Sequence, residues 1–384
     1  MNRNLKFFLI LSIFLLLILS FSSCKSSSFS KKQAKEILIG GVGPITGEAA
    51  PFGQSTYEGC ELAIEEWNQN GGVLRKQIKL IYQDDKADPT EAATVWTKLI
   101  TQDKVVGIVG TAMSKCSLAG APISQQYKVP MITPTSTYPA VTEVGDYIFR
   151  ACFIDPFQGT IGAKFCYENL GARTAACIFD VGNYYTKGLA KFFRDKFTEL
   201  GGTVIAFEAH PTGTTGFKVQ LTKIISNKPD VIYIPDYYND AALIAKQARE
   251  LGFNGPLVGG DGWDSPDLFK IGGTAVENGF FTNHFSEDDP RPIVQEFVKK
   301  YQAKYNKVPD ALATLAYDAM YILLDAIKRA GSTDPEKIKQ ALVETNINVV
   351  SGHIIFDKNR NPIKPAVIIA IKNGQQVYQA TVNP

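Results

Sequence analysis

The sequence predicts an α/β protein built as two similar lobes, each a mainly parallel sheet flanked by helices. Three observations carry that expectation. From Glu36 onward, short β-branched runs alternate with helix-length amphipathic segments, the pattern of parallel sheets covered by helices. Eight such units exceed one comfortable open sheet, and the chain's polarity changes little along them, so two lobes fit better than one; a (β/α)₈ barrel is the alternative fold. With 384 residues, of which 45% are hydrophobic, the chain is long enough for more than one buried core.

Element by element, strands are expected at 37–42, 78–82, 105–109, 130–133, 174–179, 203–207, 230–234 and 257–258. Between them, Cys60, Ala63, Ile64 and Trp67 share one helical face at i, i+3, i+4, i+7. The segment from Tyr185 through Leu189, Phe192 and Phe193 runs towards Leu200 and stops at Gly201-Gly202. The C-terminal part has long helix patterns at 290–306 and 312–330 and a shorter one at 335–344. Strands follow at 353–356, 366–371 and 376–378, the last two joined by a hairpin at Lys372-Asn373-Gly374-Gln375.

The N-terminus reads as an export signal. Arg3 and Lys6 precede an apolar run from Phe7 to Phe21, broken only by Ser12 and Ser20. Fifteen residues span about 22 Å as a helix, short of a ~30 Å hydrocarbon core, so the run suits a cleaved signal peptide over 1–23. Ser22-Ser23-Cys24 resembles a bacterial lipobox, which makes Cys24 the expected lipidation site, although Phe21 stands where that motif usually carries Leu. The Ser- and Lys-rich stretch 24–35 then reads as a solvated tether. Nothing later offers a second membrane span.

Charge and composition exclude several functions. There are 40 Lys+Arg and 38 Asp+Glu; without the leader, which holds Arg3 and Lys6, positive and negative charges balance. No basic surplus favours nucleic acid. Three scattered histidines (His210, His284, His353) and the lack of a C-x-x-C pair give no metal or cofactor site. The remaining cysteines, Cys60, Cys116, Cys152, Cys166 and Cys177, are odd in number and read as small buried residues, with one bridge still open. Gly41-Val42-Gly43-Pro44-Ile45-Thr46-Gly47 misses the dinucleotide fingerprint by one residue, and Pro44 removes an N–H where phosphate would need one. A nucleotide-dependent enzyme is therefore a remote alternative, and no nucleophile elbow or P-loop occurs.

Ligands of open α/β sheets bind beyond the carboxyl ends of the strands. After 105–109 come Thr111, Met113 and Ser114, just before a helix pattern; after 130–133 come Thr135 and Thr137. Hydroxyls beside a helix N-terminus suit an anion, with N-capping as the simpler role. After 257–258 comes Gly259-Gly260-Asp261-Gly262-Trp263, where a carboxylate beside an aromatic suits an organic cation, with an Asx-turn as the simpler role. Tyr185 and Tyr237 follow two further strands and suit cleft walls. Together these describe a zwitterion site between lobes.

On these residues the chain resembles the leucine/isoleucine/valine-type solute-binding proteins of ABC importers, with the type I periplasmic-binding fold. The resemblance rests on Gly43-Pro44-Ile45-Thr46-Gly47, Gly53 through Glu58-Gly59, Asn70-Gly71-Gly72-Val73, Asp84-Asp85, Asp88-Pro89, Met131-Ile132-Thr133-Pro134, Tyr185-x-x-Gly188 and Gly259-Gly260-Asp261-Gly262. It implies lobes at 36–151 plus 285–355 and at 152–284 plus 356–384. It implies an amino acid, branched-chain or otherwise apolar, whose carboxylate sits at Ser114 and Thr137 with backbone help near Met113 and Thr135. The ammonium would sit at Asp261, with Tyr185 and Tyr237 nearby and Phe52 where a Tyr is frequent. Asp261 stands where the leucine-binding type has Glu. Positions that pair as a disulfide in some relatives are Ala87 and Met113 here. The resemblance further implies permease and ATPase partners, no cofactor, a monomer held to the membrane by lipid, and a location outside the cytoplasm. A ligand sensor of the same fold is the alternative role.

Overall fold

The structure, a computed structural model, describes residues 36–383. The leader, Cys24 and the tether fall outside the described residues.

Two open sheets replace the barrel alternative. The first contains β1 (Ile37–Gly43), β2 (Ile78–Asp84), β3 (Ile108–Gly110), β4 (Met131–Thr133) and β5 (Ile148–Arg150), in the order β2-β1-β3-β4-β5, all parallel. The second contains β6 (Thr174–Asp180), β7 (Thr203–His210), β8 (Val231–Ile234), β9 (Leu257–Gly259) and β10 (Gly279–Asn283), which are parallel. After a separate hairpin of β11 (Asn346–Val349) and β12 (Gly352–Ile355), two antiparallel strands extend the second sheet beside β10: β13 (Ala366–Lys372) and β14 (Gln375–Val382). The chain therefore passes between the sheets three times, at 151–154, near 284–291, and at 356–365.

Local chemistry explains the helices that carry the first sheet. Asp88 caps the helix Pro89–Thr101, its carboxylate accepting from the Thr90 and Glu91 backbone N–H groups at 2.8 and 3.0 Å, while Pro89 occupies a position that needs no donor. Asp310 does the same for Ala311–Ala330, accepting from Ala313 N at 2.8 Å, and that helix ends at Gly331 in the left-handed region. Ala311–Ala330 buries residues around nearly its whole circumference, because the helix Ala50–Gln69 lies directly against it. At their crossing a Cβ on Gly59 would stand 2.1 Å from the Ala313 carbonyl oxygen, so only glycine permits this approach. The shared core includes Leu315, Ile322 and Leu323, each worth about 1.5–3 kcal/mol when buried.

Some expected elements shift. β3 starts at Ile108 rather than Val105, β7 runs on to His210, and β14 runs on to Val382. Three strands, β5, β10 and β11, have no counterpart in the sequence reading. β5 has three residues, all buried, too few to show a period, and β10 ends in Thr282-Asn283 and leads into His284, a run that looks like a polar loop yet is buried. The hairpin turn is as read: Asn373 and Gly374 both have positive φ, and the Glu277 carboxylate accepts from their N–H groups at 3.0 and 2.6 Å. Cys60, Cys116, Cys152, Cys166 and Cys177 are free buried thiols.

Candidate functional site

At the carboxyl ends of the two sheets lies a small cavity. The first sheet's side contributes Phe52, Ala112, Ser114, Thr135, Ala311 and Leu312; the second contributes Tyr185, Tyr237, Asp261 and Gly262, and His284 comes from a crossing between them.

The hydroxyl end is braced from beneath. Ser114 opens the helix Ser114–Tyr127, whose N-cap is Met113, and the helix that follows Thr137 has Pro139 as its N-cap, so neither Ser114 nor Thr137 is an N-cap. Thr135 Oγ1 donates to the Ala112 carbonyl at 3.1 Å. Below it Thr133 and Ser136 hydroxyls converge on the Thr111 carbonyl at 2.9 and 3.1 Å, and the Thr111 hydroxyl bonds the Asp85 carboxylate. The fully buried Arg150 guanidinium donates to the Ser136, Tyr138 and Pro139 carbonyls at 2.7, 3.0 and 3.1 Å. These bonds fix the loop after β4, and with it the Thr135 hydroxyl.

The carboxylate end is equally constrained. Asp261 Oδ1 accepts from Gln158 Nε2 at 2.7 Å and from the Tyr185 hydroxyl at 2.8 Å; Oδ2 lies 3.0 Å from His284 Nε2. None of these is a bond to its own turn, so Asp261 is not an Asx-turn residue. Tyr185 also accepts from Gly262 N at 3.2 Å, and Asn183 Oδ1 caps its helix by accepting from Tyr185 N at 3.1 Å. Burial raises the Tyr185 hydroxyl's pKa well above its ordinary value, which keeps it a donor. A Cβ on Gly260 would stand 2.5 Å from the Tyr185 hydroxyl and 2.8 Å from Gln158 Nε2, so glycine here lets both groups reach Asp261. Nearby, burial pushes the Asp155 carboxyl up to about 8, with Thr137 pulling the other way.

Aromatic rings close the wall. Tyr185 and Tyr237 stack at 5.1 Å and 11°, and Phe52 meets Tyr237 and Tyr238 edge-on at 5.7 and 5.1 Å. Tyr238 donates to the Glu48 carbonyl across the cleft, Asp264 accepts from Ala311 N at 2.8 Å, and Tyr138 stacks on Tyr184 at 5.7 Å. These contacts join the first sheet's loops to the second's.

Of the residues expected from the sequence, Phe52, Ser114, Thr135, Tyr185, Tyr237 and Asp261 share this wall. Met113 instead lines a second, larger and more polar cavity, which shares Phe52 and Tyr237 with the first. Thr137 is buried behind the wall, its carbonyl accepting from Asp155 N at 3.1 Å. Trp263 is a correction: it is wholly buried in the second core, donating to the Ile234 carbonyl at 2.9 Å, and does not flank the cavity. His284 and Gln158 were not singled out. His284 follows β10, so reading the residue after that strand finds it only once the strand is recognised. Among the described residues no cluster of three or more His, Cys, Asp or Glu is placed to hold a metal ion, and no helix is long and apolar enough to cross a membrane.

An apolar cavity with hydroxyls and a helix start at one end and a hydrogen-bonded carboxylate at the other suits a small zwitterion. The family model described as periplasmic binding protein matches residues 36–376. The chain belongs to the periplasmic binding protein family. This member is 43% identical to the solved leucine-binding protein of Thermotoga maritima, with a TM-score of 0.87 over 91% of this chain and 99% of the other. It is 34% identical to a branched-chain amino acid transporter substrate-binding protein of Streptococcus pneumoniae solved with isoleucine, with a TM-score of 0.86 over 91% and 100%. A Pseudomonas aeruginosa protein that binds leucine, isoleucine, valine, threonine and alanine is 30% identical over 85% of this chain and 87% of its own. The two-lobed type I fold and the family resemblance read from the sequence are thereby established, and membership of this family implies export.

Proposed function

We propose that this periplasmic binding protein captures an α-amino acid with a branched, apolar side chain between its lobes and delivers it to the permease and ATPase of an ABC importer. The observation that carries the reading is the polarity of one cavity: Ser114 and Thr135 at one end, Asp261 with its three donors at the other, and Phe52, Ala311 and Leu312 between them. The solved relative holding isoleucine supports the same class of ligand. The Ser114 hydroxyl and the helix start receive the ligand carboxylate, joined by the Thr135 hydroxyl once it turns from the Ala112 carbonyl, Asp261 receives the ammonium, and the apolar wall receives the side chain. Closure of the lobes about the three crossings buries the ligand. The reading contains no chemical step, so the ligand leaves unchanged, and it needs no cofactor. It carries the lobe limits 36–151 plus 285–355 and 152–284 plus 356–384, a monomer, a signal peptide at 1–23, and lipid on Cys24 as the membrane anchor.

The test is a thermal-shift screen of ligand-stripped, refolded protein against the common amino acids and their des-amino acids. At a hundredfold excess over Kd, binding adds about 2.7 kcal/mol to stability. Leucine, isoleucine or valine should raise the melting temperature and 4-methylpentanoate should not. A response to carboxylates lacking an amine, with none to any amino acid, would overturn the reading.

A further inference from the structure

The ammonium end of the cavity is tied to the passages between the lobes by one side chain. His284 stands where the chain leaves β10 for the first lobe, and it is 3% exposed. One face of its ring stacks on Phe153, in the passage from β5, with centroids 3.6 Å apart and an interplanar angle of 28°. Its Nε2 faces Asp261 Oδ2 at 3.0 Å, while no group among the described residues bonds its buried Nδ1.

We infer that His284 is a positioning residue: as a neutral Nε2–H donor it fixes the rotamer of Asp261 for the ligand ammonium and couples that carboxylate to two of the three passages between the lobes. The inference rests on the proposed amino-acid reading for its ligand, though not for its geometry. Tyr185 and Gln158 both act on Oδ1, so His284 is the one donor among the described residues that meets Oδ2. Without it the carboxylate is held at Oδ1 only and can rock about its Cβ–Cγ bond, which loosens the lone pairs that Oδ2 offers to the cavity. Burial pushes the imidazole down to about 4 against the opposing pull of the Asp261 carboxylate, with the Lys364 ammonium adding to the fall, so the ring is neutral at pH 7 and carries a single proton. A neutral ring with Nε2–H must leave Nδ1 as a bare acceptor, which matches the unpartnered Nδ1. The carboxylate is the stronger claim on that proton. Phe153 then holds the plane of the ring, so a displacement of the passage from β5 moves the donor relative to Asp261.

The experiment has two arms. Nitrogen-15 NMR of histidine-labelled, ligand-free protein resolves the tautomers of the three histidines. His284 should be neutral with its proton on Nε2 at pH 7, and Asp261→Asn should move that proton to Nδ1. An imidazolium, or an Nδ1–H tautomer in the wild type, overturns the inference. Calorimetry with L-leucine forms the second arm. His284→Leu should weaken binding by roughly ten- to a hundred-and-fiftyfold, the weight of about one hydrogen bond to a charged group. His284→Gln, whose amide reaches the Nε2 position, should restore affinity to within about threefold of wild type, ~0.65 kcal/mol. Equal affinity of the Leu variant and wild type overturns the inference. Should His284→Leu fail to fold, the Gln variant and the NMR arm decide. Should the wild type bind no amino acid, the ligand reading falls while the tautomer arm still judges the positioning of Asp261.

Discussion

Replacing Asp261 by Asn isolates the charge from the shape of the ammonium site. The amide oxygen can keep the bonds now given to Oδ1 by Gln158 and Tyr185, at 2.7 and 2.8 Å. The amide nitrogen then faces His284 Nε2, 3.0 Å from the present Oδ2. Two donors cannot share that contact, but a neutral imidazole can move its proton to Nδ1, which has no partner to lose. The protein should therefore fold with its melting point nearly unchanged. What disappears is the attraction between carboxylate and ligand ammonium. Roughly two charge-assisted hydrogen bonds at about 1.5–3 kcal/mol each, partly offset by the amide oxygen, give a loss of about 3–4 kcal/mol. That corresponds to two to three orders of magnitude in Kd at ~1.4 kcal/mol per tenfold. Isothermal calorimetry with L-leucine, alongside melting curves, reads both quantities. Binding within about threefold of wild type, ~0.65 kcal/mol, by a normally folded variant would refute the assignment. A large fall in melting temperature with intact affinity would make Asp261 a structural residue instead.

Four further outcomes are expected. Ser114→Ala leaves the helix backbone in place and removes one hydroxyl, so affinity should fall about fivefold, ~1 kcal/mol; an unchanged Kd in calorimetry would remove Ser114 from the carboxylate end. Tyr184→Ala deletes the ring stacked on Tyr138 across the cleft, worth about 0.5–1.5 kcal/mol, and should speed ligand release two- to tenfold in stopped-flow; an unchanged rate would show that this contact does not guard the closed form. Asp155 keeps its proton up to about 8 in the folded protein but loses it near about 4 when unfolded, so its contribution to stability falls as pH rises between those values. Asp155→Asn should gain on the wild type from pH 5 to pH 8, by up to about 1.4 kcal/mol per pH unit, and parallel melting-point profiles would contradict the buried neutral carboxyl. Cys24→Ala should abolish incorporation of labelled fatty acid in cells, and label persisting in the variant would rule out that anchor.

Much of this site is written in local signals. The residue after each central strand, together with the helix start at Ser114, brings Thr135, Tyr237 and Asp261 to one wall, because parallel strands all present their carboxyl ends to the same side. Asp88-Pro89 and Asn373-Gly374 act through backbone chemistry that hardly depends on the rest of the molecule. Gln158 was not legible: it lies on the second turn of a helix, and only tertiary packing over Gly260 brings its amide to Asp261. Trp263 misled for a related reason. It lies two residues from Asp261 on a short 3₁₀ turn, which sends one side chain to the cavity and the other to the core. His284 and β10 failed together, since a buried Thr-Asn-His run shows no alternation.

The close crossing at Gly59 has a consequence for how the molecule acquires its structure. Cys60 Sγ contacts the Ala316 carbonyl across 256 positions of sequence, and the helix Ala50–Gln69 finds its largest neighbour in Ala311–Ala330. The first sheet can thus pair its strands early, yet it lacks one of its covering layers until β6 to β10 of the second sheet have been threaded through. Closing so long a loop is entropically slow, and contacts of this range retard folding. The earlier half should linger as a partly covered, apolar intermediate that a holding chaperone can engage. A chain interrupted before residue 311 would be arrested in that state, with the Gly59 face of its helix open to water.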